Sequence, residues 1–319
     1  MKVGAIVNPN AKGVIKGYSR KVKAILKTDL VFETSDEKEI KPALQILKAE
    51  EPDILSIIGG DGTVGATVTE LLKLCNEQTQ IPILLPARAG TLNVIADNIP
   101  VKGDLESILL KLKEFAGKIR FSRDIPRDNI RKFKIIKVKT NILEEERYGF
   151  SIDIGIPFFF TEKFYQLRTR SSRTALTLLS KSISKFVMGM NSKELARSFF
   201  GDIIIDGVGY PYKEHLLIVA SVFKQLPLFF RPFYVKDDKW KDGFYFWVLS
   251  EDIWNAMKNF RVISRGLKRM RKSFNDIAEN VTVVTKEGFA LDGELFKPPQ
   301  GEEYSINITL GPVVDFLKL

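Results

Sequence analysis

An α/β domain with a mostly parallel sheet, followed by a β-sandwich-like domain with helical insertions, is the fold this sequence predicts. Two observations lead there. Apolar runs of strand length alternate with helix-patterned stretches through the first third of the chain, which is how βαβ units read. From about Ile119 that alternation gives way to a series of shorter β-patterned segments. At 319 residues the chain also exceeds a usual single domain. The expected division is 1–120 and 121–319, with the extreme C-terminus packing back on the first domain.

The first domain reads, in order, as strand 3–7, helix 18–27, strand 30–34, helix 38–49, strand 54–58, helix 64–74, strand 81–85 and helix 105–115. A parallel sheet of this kind gathers its ligand-binding loops at the carboxyl ends of its strands. The loops with the most distinctive residues fall at such ends: Asn8-Pro9-Asn10-Ala11-Lys12-Gly13, then Thr34, then Gly59-Gly60-Asp61-Gly62-Thr63, then Ala89-Gly90-Thr91-Leu92-Asn93. The second domain offers β-patterned segments at 134–139, 147–154, 202–205, 216–222 and 244–249, interrupted by basic helical stretches at 162–188 and 252–274.

Composition narrows the chemistry. With 49 basic against 39 acidic residues the chain carries a net charge of +10, which favours an anionic partner. Cys75 and His215 are the only residues of their kinds. A disulfide framework, a Cys/His zinc site and a histidine-centred triad therefore all lack parts, and both residues are expected to pack structurally. The N-terminus enters a strand pattern at once, without signal-peptide features, and no apolar run reaches the roughly 20 residues of a spanning helix. The expectation is a cytoplasmic protein, peripheral at the inner membrane face.

The glycine-rich turn at 59–63 follows an apolar strand and precedes a helix. Glycines allow close backbone approach to a ligand, and a helix N-terminus favours an anion. A carboxylate beside a polyphosphate is repulsive unless a divalent cation lies between them or the carboxylate accepts a proton. Asp61 inside this turn therefore points to phosphoryl transfer with Mg²⁺. The spacing Gly60-x-Gly62-x-x-Gly65 also fits a dinucleotide fingerprint, but the next strand pattern offers no acidic residue to hold a ribose. A lysine-bearing P-loop is absent as well.

Taken together, the loops at 8–13, 59–63 and 86–93 and the late Leu291-Asp292-Gly293-Glu294-Leu295 resemble the diacylglycerol kinase catalytic family, which includes sphingosine, ceramide and bacterial soluble lipid kinases. The resemblance implies an N-terminal nucleotide domain, a C-terminal β-sandwich, and a cleft where ATP meets a lipid hydroxyl. It places Asn8, Pro9, Asn10, Ala11, Lys12, Gly13, Thr34, Gly59, Gly60, Gly62, Thr63, Gly90, Thr91 and Asn93 around ATP. It makes Asp61, Asp292 and Glu294 the carboxylates for metal organisation and proton removal, and offers Asp242 as a further metal ligand. The chain departs from the family pattern at Gly65 and Ala66, where Asn and Glu are common, at Val94, where Asp is common, and at 149–155, where the Gly-Phe-Asp-Ala segment is blurred.

The reading is an ATP-dependent, Mg²⁺-requiring lipid kinase with diacylglycerol as the default acceptor. The alternatives are an NAD kinase-like enzyme, which shares the glycine-aspartate turn, and a non-catalytic lipid-binding protein at a membrane surface. Expected partners are the lipid and an anionic membrane, with a homodimer kept open. Nucleic acid is not expected, since no reader motif accompanies the basic stretches. The proline-punctuated apolar segments 156–160 and 226–234 serve either an acyl chain or the core.

Overall fold

A computed structural model describes residues 1–75, 81–99, 101–121, 124–167, 172–187, 197–235, 243–299 and 301–319. The chain divides into two units, one of Met1–Lys134 with Pro312–Leu319, the other Ile135–Gly311.

The first unit runs β1 (Val3–Val7), α1 (Tyr18–Leu26), β2 (Val31–Glu33), α2 (Ile40–Glu50), β3 (Ile54–Gly59), α3 (Asp61–Leu74), β4 (Ile83–Arg88), α4 (Val94–Asn98) and α5 (Leu105–Lys118). Its strands pair in parallel in the order β2-β1-β3-β4. Strands β1 and β3 are buried at every position, as expected for parallel strands covered on both faces. The helices supply that cover: α1 buries Tyr18, Val22 and Leu26, and α2 buries Ile40, Ala43, Leu44 and Leu47, each a stripe at helical spacing. Strand order reverses between β1 and β3, so the loops leaving those two strands diverge and open a crevice at their carboxyl ends.

Two differences from the sequence expectation lie in this unit. Helix α3 starts at Asp61 rather than Val64, so the Asp-Gly-Thr run is itself the first helical turn. Helix α4 was not expected; it follows Asn93, whose left-handed backbone (φ 50°) turns the chain into it.

The second unit continues with β5 (Ile130–Thr140, shared with the first), β6 (Arg147–Gly149), β7 (Ser151–Gly155), α6 (Ile156–Tyr165), α7 (Ser172–Val187), β8 (Phe199–Ile205), β9 (Val208–Gly209), β10 (Glu214–His215), β11 (Leu217–Ser221), β12 (Phe244–Leu249), α8 (Ile253–Lys258), α9 (Phe260–Ile263), β13 (Ser273–Ala278), β14 (Asn280–Thr285), β15 (Phe289–Leu291), β16 (Glu294–Phe296) and β17 (Tyr304–Leu317). A six-stranded sheet has the order β13-β12-β11-β7-β15-β16, and every adjacent pair in it is antiparallel. A second antiparallel set contains β10, β8, β14 and the early part of β17.

The helical stretch expected at 252–274 is instead two short helices that stop at Ile263, followed by the strand Ser273–Ala278. Gly266 sets the break: its φ of 62° leaves the helical region, and a Cβ there would come within 2.5 Å of the Phe233 carbonyl. Of the apolar segment 156–160, Phe158 and Phe159 are core, clustered with Ala290. His215 is fully buried, its ring nitrogens 2.8 Å from Ser250 Oγ and 3.0 Å from the Gly201 carbonyl, which is the structural role expected of it. Cys75 is half-buried just past α3.

Candidate active site

In the first unit three loops meet at the crevice. The Asn8 side-chain amide donates to Thr63 Oγ1 at 2.9 Å and its carbonyl oxygen accepts the Asn10 N–H at 2.9 Å, so the β1 loop is tied to the first turn of α3. Asn10 reaches on to the Ser35 carbonyl, beside the end of β2. Gly13 N–H donates to the Ala89 carbonyl at 2.9 Å, tying the same loop to the one after β4. Glycines make the approach possible. A Cβ on Gly13 would sit 3.1 Å from Ala89 Cα, one on Gly60 would sit 3.2 Å from Gly90 Cα, and one on Gly59 would strike the Thr63 side chain.

Asp61 holds two of these loops together. Its Oδ2 accepts the Val94 N–H at 3.0 Å and its Oδ1 the Ile95 N–H at 2.9 Å, so it caps a helix far from it in sequence. Burial pushes its carboxyl above the usual range, against the pull of those two N–H groups. Asn93 closes the same loop by accepting from Gly90 N–H at 2.8 Å and donating to its carbonyl. Thr34 is 3% exposed, and its hydroxyl has no hydrogen-bond partner among the described residues.

In the second unit Asp292 and Gly293 form a two-residue hairpin loop between β15 and β16, both with positive φ (49° and 85°). Asp-Gly is the residue pair such a turn favours. The Asp292 carboxylate turns inward and accepts the N–H of Phe150 at 3.0 Å and of Ser151 at 2.9 Å, where the chain passes from β6 to β7. Gly149 leaves room for it, since a Cβ there would lie 2.8 Å from Asp292 Oδ2. Replacing Asp292 with Ala would strand two backbone donors. The expected loss is about 2–4 kcal/mol of stability, read from the urea midpoint, and an unchanged midpoint would refute the clamp.

Residues 2–121 match the family model of the diacylglycerol kinase catalytic domain. This stretch belongs to that family. Within the diacylglycerol kinase catalytic stretch lie all three converging loops and Asp61. No protein of curated function matches the sequence. Three solved structures from Bacillus anthracis str. Sterne share the fold. One, described as a diacylglycerol kinase, is 16% identical with a TM-score of 0.59. Two others, whose diacylglycerol kinase description is provisional, are 18% and 15% identical with TM-scores of 0.64 and 0.63. Each comparison covers 100% of this chain and 97% of the other.

The structure accounts for the places where this kinase-family stretch departs from the common pattern. Gly65 and Ala66 are buried within α3. Val94 contributes to the site through its N–H, which any residue but proline supplies. Of the other expected nucleotide residues, Pro9 and Ala11 are half-buried, Lys12 and Gly62 are exposed, and Thr91 is half-buried on the loop that Asn93 closes. Glu294 is half-buried at the start of β16. Asp242 lies outside the described residues.

One residue escaped the sequence reading. Asp153 lies in the middle of β7, with Val219 of β11 directly opposite on one side and Ala290 of β15 on the other. Asp153 is half-buried; its carboxylate has no hydrogen-bond or ion-pair partner among the described residues, and loss of hydration in these surroundings pushes its carboxyl up to about 7. Val219 belongs to an apolar cluster with Phe233, Tyr245 and Trp247, and Ala290 to the cluster of Phe158 and Phe159. The sequence signal was available in Ile152-Asp153-Ile154, an acid at the centre of an apolar strand.

Proposed function

We propose that the protein is an ATP-dependent lipid kinase, transferring the γ-phosphate to a lipid hydroxyl, with diacylglycerol as the first acceptor to test. The family match over residues 2–121 supports a kinase. The observation that carries the lipid acceptor is Asp153, an unpartnered carboxylate flanked by two apolar clusters. An unpaired polar group in apolar surroundings costs about 1–3 kcal/mol, so it suits a ligand that brings both a hydroxyl and hydrocarbon.

The nucleotide fits the first unit. The buried Thr34 hydroxyl lacks a partner at the end of β2, and the glycines at 13, 60 and 90 let the three loops pack against one another with their backbones close together. First-turn N–H groups of α3 have no intrahelical acceptor and favour phosphate. Asp61 is the residue that would hold Mg²⁺ in this reading: its half-buried carboxylate has only backbone donors as hydrogen-bond partners, and water or phosphate oxygens would complete the ion's shell. When bound, Mg²⁺ supplies neutralisation of charge on the transferring phosphoryl group. In this reading Asp61 orients the nucleotide, Asp153 accepts a hydrogen bond from the lipid head group, Asp292 fixes the hairpin and Glu294 removes the hydroxyl proton.

The test is transfer of labelled γ-phosphate from ATP with Mg²⁺ to mixed micelles of diacylglycerol, monoacylglycerol, sphingosine, ceramide or phosphatidylglycerol, with NAD alongside and Asp61→Ala as control. A labelled lipid that disappears in the variant is the expected result. Labelled NAD would replace the reading with a nucleotide kinase, and an unlabelled panel would favour a non-catalytic lipid binder.

A further inference from the structure

The chain between β12 and β13 leaves the sheet and returns to it. Leu249 and Ser273 are direct register partners, and Ser250 N–H donates to the Lys272 carbonyl at 2.8 Å, so residues 251–272 form an excursion closed at its base. Its inward side is apolar and satisfied: Ala256, Ile263 and Met270 join the cluster that contains Val219, Phe233 and Trp247. The turn after α9 is also pinned, since Arg231 N–H donates to the Ser264 carbonyl at 2.9 Å.

The outward side differs sharply. Trp254 is 53% exposed and Leu267 66% exposed, so neither serves the core beneath. Seven basic residues stand from Lys258 to Lys272, and no acidic residue lies between Asp252 and Asp276. The acids at the base are already engaged. Glu251 accepts from Lys272 N–H and the Asn255 amide, Asp252 caps α8, and Asp276 pairs with Arg269. Lys258, Arg261, Arg265 and Arg271 are exposed and have no ion-pair partner among the described residues.

We propose that the excursion 251–272 docks the protein on an anionic bilayer, with Trp254 and Leu267 entering the headgroup region and the unpaired basic residues meeting lipid phosphates. An exposed aromatic and a leucine among unpaired cations match an interfacial anchor, which combines buried apolar area with attraction to anionic lipid. Nucleic acid would use the cations but leave the leucine without a role. The proposal deepens the lipid-kinase reading and rests on it for its purpose. The excursion lies over the cluster containing Val219, the register partner of Asp153, so the docked surface overlies the sheet that carries the proposed head-group residue.

The test is binding of the full chain to phosphatidylcholine vesicles and to equimolar phosphatidylcholine/phosphatidylglycerol vesicles. The variants are R261Q/R265Q/R271Q, the equally charged control K41Q/K113Q/K286Q, and W254S/L267S. Each cation near an anionic leaflet contributes about fivefold, so the first variant should bind mixed vesicles about 100-fold more weakly while the control keeps wild-type affinity. W254S/L267S should weaken binding at high salt, where electrostatic attraction is screened. Equal losses in both charge variants would show a net-charge effect and overturn the proposal. So would wild-type binding by R261Q/R265Q/R271Q, or displacement of vesicles by a duplex oligonucleotide whose own binding that variant abolishes. Phosphorylation of a water-soluble short-chain diacylglycerol is measured separately. Its absence with vesicle binding intact would remove the kinase reading and leave the docking surface standing.

Discussion

The Asp153→Asn variant is expected to be more stable than the wild-type protein at pH 8 by up to about 4 kcal/mol, and to lose that advantage near pH 4. The sign follows from proton binding. Burial raises the Asp153 carboxyl from 3.8 to about 7 in the folded protein. Between those values the folded state holds a proton that the unfolded chain has released. Wild-type stability therefore falls as pH rises through this window and is flat with respect to this group above it. The amide that replaces the carboxyl does not titrate, so the difference between the two proteins grows over the same interval. Urea midpoints at pH 4, 6 and 8 measure it, and a pH-independent difference would show that Asp153 is not held as an unpartnered acid in apolar surroundings.

The same substitution is expected to lower kcat/KM for the lipid acceptor by roughly 100-fold, because the amide cannot reproduce a carboxylate's hydrogen bond to a hydroxyl. Greater stability with poorer turnover is the pattern of a residue kept for function against its folding preference. A residue that served only the fold would not give both. The activity loss should appear in wild-type-like protein at neutral pH, where the variant is at least as well folded, so instability cannot explain it.

How much of this was legible in the sequence depended on how local the physics is. Strands β1 and β12 were readable to the residue because uninterrupted apolar runs end in turn formers or charge. Loops 8–13, 59–63 and 89–93 were recognisable because glycine and asparagine sit where backbones must approach closely. The start of α3 was misplaced because Asp61 and Gly62 look like turn residues, whereas Asp61 in fact caps a different helix through Val94 and Ile95. Such a contact, 33 residues away along the chain, has no periodic trace. The basic stretch at 252–274 looked helical from its composition, but the backbone at Gly266 and the register of Ser273 with Leu249 decide otherwise. Asp153 stands out locally as an acid within an apolar strand, but its surroundings come from Val219 and Ala290 on neighbouring strands, which the local pattern does not show.

The Asp61→Asn variant is expected to lose at least about 100-fold in turnover and, more tellingly, to reverse the effect of Mg²⁺ on ATP affinity. The structure gives Asp61 one visible task, accepting the N–H groups of Val94 and Ile95. Asn keeps one acceptor and presents an amide to the other donor, so a role confined to capping predicts weaker ATP binding to the same degree with and without metal. A role in holding Mg²⁺ predicts opposite signs. Without metal, removal of a half-buried negative charge near phosphate should tighten ATP binding by about fivefold to tenfold, on the scale of one charge pair at intermediate dielectric. With Mg²⁺ present, the variant should bind more weakly than wild type, because the cation loses a ligand. Calorimetric titration of ATP in Mg²⁺ and in EDTA separates the two. Parallel weakening in both buffers would reduce Asp61 to a helix cap and transfer the search for the metal ligand to other carboxylates. The raised carboxyl of Asp61 adds a further sign: in EDTA the gap between variant and wild type should narrow as pH falls and the wild-type carboxyl takes up its proton.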